Sequence, residues 1–204
     1  TDWGQPPKGP TIQDIAPAPS QPQKIRKIKP NAQQASIRIG KLLFNKQHPD
    51  YRELNIVTNL LGGFFGARLM RNLREEKGYT YGIYSHIMPL RQSGEFIIDA
   101  EVAARYEKEA IREIYKELNK LASEPIDDDE LNLLKNNFRG NLMRMFDGID
   151  SLMDSLRGLV EFGLDYSYYE HYFDILKRLD SERINELAAK YLQPDTLVEV
   201  VCGP

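Results

Sequence analysis

Arg74 and Tyr81 stand seven residues apart in the segment Leu73-Arg-Glu-Glu-Lys-Gly-Tyr-Thr-Tyr81, where a short helix should give way to a strand. A guanidinium is a rigid fork of donors, and a phenol offers one donor with little rotational freedom. Together they suit a peptide carbonyl, or the oxyanion that forms from it under attack. A plainer reading is a surface arginine and a tyrosine in a cross-strand aromatic pair. Residue type and spacing alone favour the plainer reading.

The other chemistry-bearing residues narrow the field. Arg68, Arg71, Arg74 and Lys77 recur at every third position. At about 100° per residue each falls about 60° behind the last, so the four fan over about 180°. One or two can face a given ligand, and solvation is expected for most of them. His48, His86 and His171 are widely separated and form no two-histidine helical motif. Zinc held by this chain alone would need His86 gathered with Glu95 or Asp99 across a hairpin; surface or packing roles are expected instead. No Gly-x-Ser-x-Gly or Cys-His pairing marks a nucleophile. Gly62-Gly-Phe-Phe-Gly66 follows a helix, and no Gly-Lys-Ser/Thr comes after it, so a helix-to-helix joint is expected in place of a phosphate cradle. Cys202, the single cysteine, excludes an internal disulfide and is expected as a small buried hydrophobe.

Composition sets the bounds. The 204 residues are 41% hydrophobic and 28% charged, as in an ordinary globular protein large enough to bury a core. A net charge of −3 argues against general nucleic-acid binding, and no apolar run approaches the roughly 20 residues of a membrane span. The chain begins at Thr1 without a signal-peptide pattern and is expected to be a segment of a longer protein.

The elements that must position these residues follow from periodicity. Residues 1–30 hold seven of the twelve prolines and are expected to be a linker or arm, with 24–29 a solvated end rather than an edge strand. Residues 31–204 are expected to form one α+β domain. Gln33 to Phe44 alternates as a half-buried strand. Asp50 with Glu53 makes a capping box for a helix that Gly62-Gly63 ends or breaks. A second helical piece, Ala67 to Glu76, stops at Gly78. Tyr79 to Met88 and Gly94 to Val102 read as an antiparallel hairpin. Helices are expected at 105–122, from Asp127, and at 151–162, 168–179 and 182–191, before a last strand at 196–202. The order implies a mixed or mostly antiparallel sheet covered by helices.

Leu61-Gly-Gly, then Ala67-Arg-Leu, then Leu73-Arg-Glu-Glu-Lys-Gly-Tyr-Thr-Tyr81 closely resembles the second-half signature of the insulinase/pitrilysin/mitochondrial-processing-peptidase zinc peptidases, the inverzincins. Ala67 stands where serine is usual. The resemblance runs from about Gln34 to Gly203, through His48-Pro-Asp50, Ile126 to Leu131, and Lys190-Tyr-Leu-Gln-Pro-Asp195.

The resemblance implies one of two homologous α+β halves that face each other across a peptide chamber. One half carries zinc on His-x-x-Glu-His; the other supplies an arginine and a tyrosine that hold the substrate backbone and stabilise the tetrahedral intermediate. By motif position these are Arg74 and Tyr81. Gly62, Gly63 and Gly78 are then the structural joints that deliver them. His-x-x-Glu-His is absent from the 204 residues, so the resemblance implies the non-metal half of a metalloendopeptidase, inactive alone, with zinc expected in the partner half. That partner is either the N-terminal half of the same chain or a homologous subunit. Unstructured peptides are the implied substrates; the compartment stays open, with the cell envelope one option because bacterial members often act there. Two other readings stay open: a catalytically inactive structural or assembly subunit of this fold, and a small-ligand or phosphate-binding module using the basic helix.

Overall fold

A computed structural model of the chain describes residues 21–204. The first twenty residues of the expected arm lie outside the described residues. Among the described residues five strands form one sheet in the order β1-β5-β2-β4-β3. They are β1 Gln23–Ile28, β2 Gln34–Leu43, β3 Thr80–Pro89, β4 Gly94–Ala103 and β5 Val198–Gly203. Only the β1–β5 pairing is parallel.

Period-two alternation builds the sheet as expected. Ala35, Ile37 and Ile39 of β2 stand opposite Val102, Ala100 and Ile98 of β4, and all six are buried. Ile83 and Ile87 of β3 add to the same face. The other face carries Arg38, Tyr84, His86 and Glu101, all exposed, with Arg38 paired to Asp99 at 2.8 Å. Cys202 lies in register with Ser36 on that second face and is half-buried rather than sealed in the core.

The expectation for residues 24–29 was wrong. They enter the sheet as β1, in register with β5 from Gln23–Val198 to Ile28–Gly203. Arg26 donates to both oxygens of Glu107 and, at 2.7 Å, to the carbonyl of Pro204. The strand is exposed almost throughout. It therefore shows no apolar alternation, and distant partners hold it.

Six α-helices complete the described fold: α1 Tyr51–Gly62, α2 Glu107–Ser123, α3 Asp128–Arg144, α4 Ile149–Glu161, α5 Ser167–Arg178 and α6 Ser181–Tyr191. Helix α1 lies against β3, and α6 lies against α1 and α2. Asp127 caps α3 by accepting from the Glu130 N–H at 2.7 Å, with three acids in the first turn where the macrodipole favours them.

The expected capping box of α1 does not form. The Asp50 side chain makes no capping bond. It accepts instead from the Tyr191 hydroxyl at 2.6 Å, Lys190 Nζ at 2.9 Å and Arg183 Nη2 at 3.2 Å. Glu53 is drawn to Arg178 and Arg183. Charge-assisted partners on α5 and α6 outcompete a local backbone donor, and the result ties the start of α1 to the end of the chain.

Candidate functional site

Gly62 and Gly63 end α1, but not through a left-handed cap, since Gly63 has φ −87°. Close packing explains Gly62. A Cβ there would lie 2.7 Å from the Ser85 backbone nitrogen and 3.0 Å from its hydroxyl. Glycine thus lets the helix end press onto edge strand β3.

The expected second helical piece is present; it begins at Arg68 and from Met70 to Glu76 is wound as a π-helix. The Lys77 N–H accordingly reaches the Asn72 carbonyl, five residues back, at 3.1 Å. Such widened turns are rare and recur at functional sites. Gly78, at φ +65°, ends the segment as expected.

The four basic residues of this segment have different fates, and most are not simply solvated. Arg68 is buried and donates twice to Glu130, at 2.8 and 2.6 Å. Burial alone would lower the Arg68 pKa, but the Glu130 hydrogen bonds and charge raise it. Arg71 reaches the same carboxylate at 3.4 Å, and Lys77 lies 3.7 Å from Glu113. Burial pushes Glu113 upward, but the Asn72 amide and the charges of Lys77 and Lys116 bring its pKa below the usual value. Arg74 alone of the four has no carboxylate partner among the described residues. Its Cζ sits 4.7 Å from the ring centre of Phe65, in the glycine loop.

Tyr81 is turned outward by an irregularity in β3. The pairing with β4 shifts register between Thr80 and Ile83. The Thr80 hydroxyl stabilises the bulge by donating to the Glu101 carbonyl at 2.6 Å and accepting from the Gly82 N–H at 3.1 Å. Bulges re-aim side chains, and this one leaves Tyr81 89% exposed. The plain cross-strand aromatic pair considered for Tyr81 is not formed; Tyr79 makes the stack instead, with Tyr106.

Arg74 and Tyr81 border one open cavity of about 460 Å³ at an end of the sheet, which Gly78, Glu101, Arg105 and Tyr106 also line. Two cationic forks, exposed phenol and an opening to solvent can hold a polar backbone or an anion. Phe65, Arg105 and Tyr106 were not singled out from sequence. The Phe-Phe within the glycine loop was the one available signal for Phe65. Arg105 and Tyr106 carried none, because they reach the site through the fold.

The histidines stay apart. His48 stacks on Phe44 at 3.6 Å and accepts from the Asp50 N–H. His86 lies opposite Ile97 on the open face. Among the described residues no group of three His, Cys, Asp or Glu side chains comes together as a metal site, so the donor set of these residues does not fit zinc. A second cavity, about 250 Å³ beside α1, α3 and α5, is lined by Tyr51, Tyr168 and Tyr172. Two of its hydroxyls bond each other at 3.3 Å, and Asn55 donates to Tyr172 at 3.2 Å. Asn55, Tyr168 and Tyr172 thus pair with one another, whereas Asn59 Oδ1, in the same lining, is buried without a hydrogen-bond partner among the described residues.

Comparison with known proteins bears on the family and the fold. The sequence profile of a family described as "Peptidase M16 inactive domain" matches residues 1–138. The uncharacterized zinc protease YmxG of Bacillus subtilis is 26% identical over 174 residues, 85% of this chain and 42% of the relative. An uncharacterized zinc protease of Mycobacterium leprae is 24% identical over 80% of this chain and 37% of its own length. The chain thus spans less than half of these relatives. The crystal structure of a peptidase M16 inactive domain from Pseudomonas fluorescens superposes with a TM-score of 0.85 at 27% identity, covering 97% of this chain and 48% of the other. A protease from Helicobacter pylori shares the fold, with a TM-score of 0.82 at 18% identity over 95% of this chain and 49% of the other.

Proposed function

Because this chain belongs to the peptidase M16 inactive-domain family, we propose that it is the non-metal half of a zinc metalloendopeptidase. It faces a zinc-bearing half across a peptide chamber, and Arg74 and Tyr81 are its working residues. The observation that carries this reading is that both line one open cavity while neighbouring basic side chains are occupied by Glu130 and Glu113. An arginine left unpaired beside three paired ones is available to a substrate.

Zinc bound in the partner half supplies Lewis acidity and an activated water. The residues of this chain do the complementary work. Arg74, steadied over Phe65, donates to the backbone of an extended peptide. Tyr81, aimed outward by the bulge, donates its hydroxyl proton in a hydrogen bond to the carbonyl oxygen as negative charge grows there. Donors placed in advance at that oxygen lower the barrier because they need not reorganise during the reaction. Unstructured peptides are the fitting substrates, since a folded protein cannot present its backbone at an enclosed site. For a bacterial source the cell envelope is the proposed compartment.

Reconstitution tests the assignment. The zinc-bearing half alone and this chain alone should each leave an unstructured fluorogenic peptide intact, and mixing should restore cleavage. Elemental analysis should find the zinc in the partner half. Full activity of the zinc half without this chain would defeat the proposal and favour the assembly-subunit reading.

A further inference from the structure

A second guanidinium, that of Arg105, borders the Arg74–Tyr81 cavity. Arg105 lies in the turn Ala104–Tyr106 between β4 and α2. Two backbone bonds pin the turn: the Ala103 N–H donates to the Tyr79 carbonyl at 3.2 Å, and the Ala104 N–H to the Gln33 carbonyl at 3.1 Å. The Arg105 Cζ sits 4.7 Å from the Tyr106 ring centre. Tyr106 in turn stacks on Tyr79, with centroids 4.6 Å apart and planes inclined by 25°. A guanidinium held against a ring keeps its edge N–H donors free, and a carboxylate can take two of them at once.

Among the described residues neither Arg105 nor Arg74 has a carboxylate partner. Glu101 is the single acid bordering the cavity, and it pairs with neither. Two guanidinium charges therefore face one carboxylate charge, leaving a positive surplus beside the place where a peptide backbone would lie. Resting on the peptidase reading above, we propose that Arg105 forms a carboxylate-binding subsite that selects peptides carrying a negative charge close to the bond held by Arg74 and Tyr81. An acidic side chain or the peptide's own C-terminus has the required chemistry.

The test is a binding titration on the assembled enzyme, this chain with its zinc-bearing half, after chelation of zinc so that no peptide is cut. At each position scanned along the sequence four labelled peptides are compared: Glu or Gln, each with a free or an amidated C-terminus. The carboxylate should tighten binding about tenfold, as expected for one charged hydrogen-bonding pair, and added salt should shrink the preference. Arg105→Gln should erase it, lowering the affinity of the charged peptides about tenfold more than that of the neutral amidated one. A Glu/Gln difference at either end chemistry identifies a side chain; a free/amidated difference identifies the terminus. Equal affinities for all peptides, no binding at any position, or an equal loss for every peptide in Arg105→Gln would overturn the proposal. Failure of the peptidase reading looks different: hydrolysis of the neutral peptide would survive Arg74→Ala and Tyr81→Phe, whatever the carboxylate preference.

Discussion

Arg68 and Glu130 meet in a two-point ion pair nearly closed to water, with Nε–Oε1 2.8 Å, Nη2–Oε2 2.6 Å and each side chain 8% exposed. The pair bolts the residues just before the π-helix to α3. Removing one partner strands a buried charge, so Arg68→Ala or Glu130→Ala should cost about 3 to 5 kcal/mol in urea unfolding. Replacing both by apolar residues, Arg68→Met with Glu130→Leu, should cost much less. An equal loss in the double variant would show that the pair is not a desolvated one.

Arg74 is the counter-example six residues on. Arg74→Ala and Tyr81→Phe should each slow peptide hydrolysis by the assembled enzyme a hundredfold or more, about 3 to 4 kcal/mol of transition-state support. Melting temperature should barely move, because Tyr81 is 89% exposed and Arg74 has no ion pair to lose. A near-normal rate in the double variant would remove both residues from the mechanism.

Phe65 steadies Arg74 from the glycine loop at 4.7 Å. An exposed cation–π contact contributes about 0.5 to 1 kcal/mol, so Phe65→Ala should lower kcat/KM about two- to fivefold. Combined with Arg74→Ala, the loss of Phe65 should add nothing further. Full additivity of the two effects would mean that Phe65 acts on its own.

Two glycines should respond in opposite directions to alanine. At Gly62 the new Cβ would meet the Ser85 backbone nitrogen at 2.7 Å, and overpacking of this kind costs about 1 to 3 kcal/mol. At Gly140, inside α3, the nearest neighbour is the Arg144 guanidinium at 3.9 Å, so Gly140→Ala should stabilise by about 0.5 to 1 kcal/mol. Thermal unfolding of the two variants reads both effects.

Acid should loosen the join between α1 and α6. Burial raises the Asp50 pKa, but hydrogen bonds from Tyr191 and Lys190 and the charges of Lys190 and Arg183 lower it below 3.8 overall. A carboxylate depressed in the folded state stabilises fully above its unfolded pKa, and that contribution fades as pH falls through the folded value. The stability gap between wild type and Asp50→Asn should therefore be constant near neutrality and narrow below about pH 4. A gap unchanged down to pH 2 would show that the Asp50 cluster contributes no such linkage.

Asp50 also shows where local pattern misleads. With Glu53 three residues on, it has the spacing of a capping box, yet Arg183, Lys190 and Tyr191, 130 or more positions away, claim both carboxylates. The same limit explains β1. Its pairing with β5 is invisible in a strand whose six residues are almost all exposed. The start of α3 at Asp127 was legible because the acids that mark it are adjacent in sequence, and the cap that forms there has its partner three residues away.

Local order along the chain was enough to dictate the alternating strands, the helix order, the break at Gly78 and the motif carrying Arg74 and Tyr81. Each depends on neighbours within a few positions, and backbone geometry ties those to one another. Which basic residue stays free was settled only in three dimensions. Glu130, 62 positions from Arg68, and Glu113 on another helix took three of the four. Arg105 joined the cavity because the β3–β4 pairing and the turn after β4 bring Tyr106, on whose ring Arg105 rests, beside Tyr79. Charges find partners by distance through space, and sequence separation holds no record of that distance until the chain has folded.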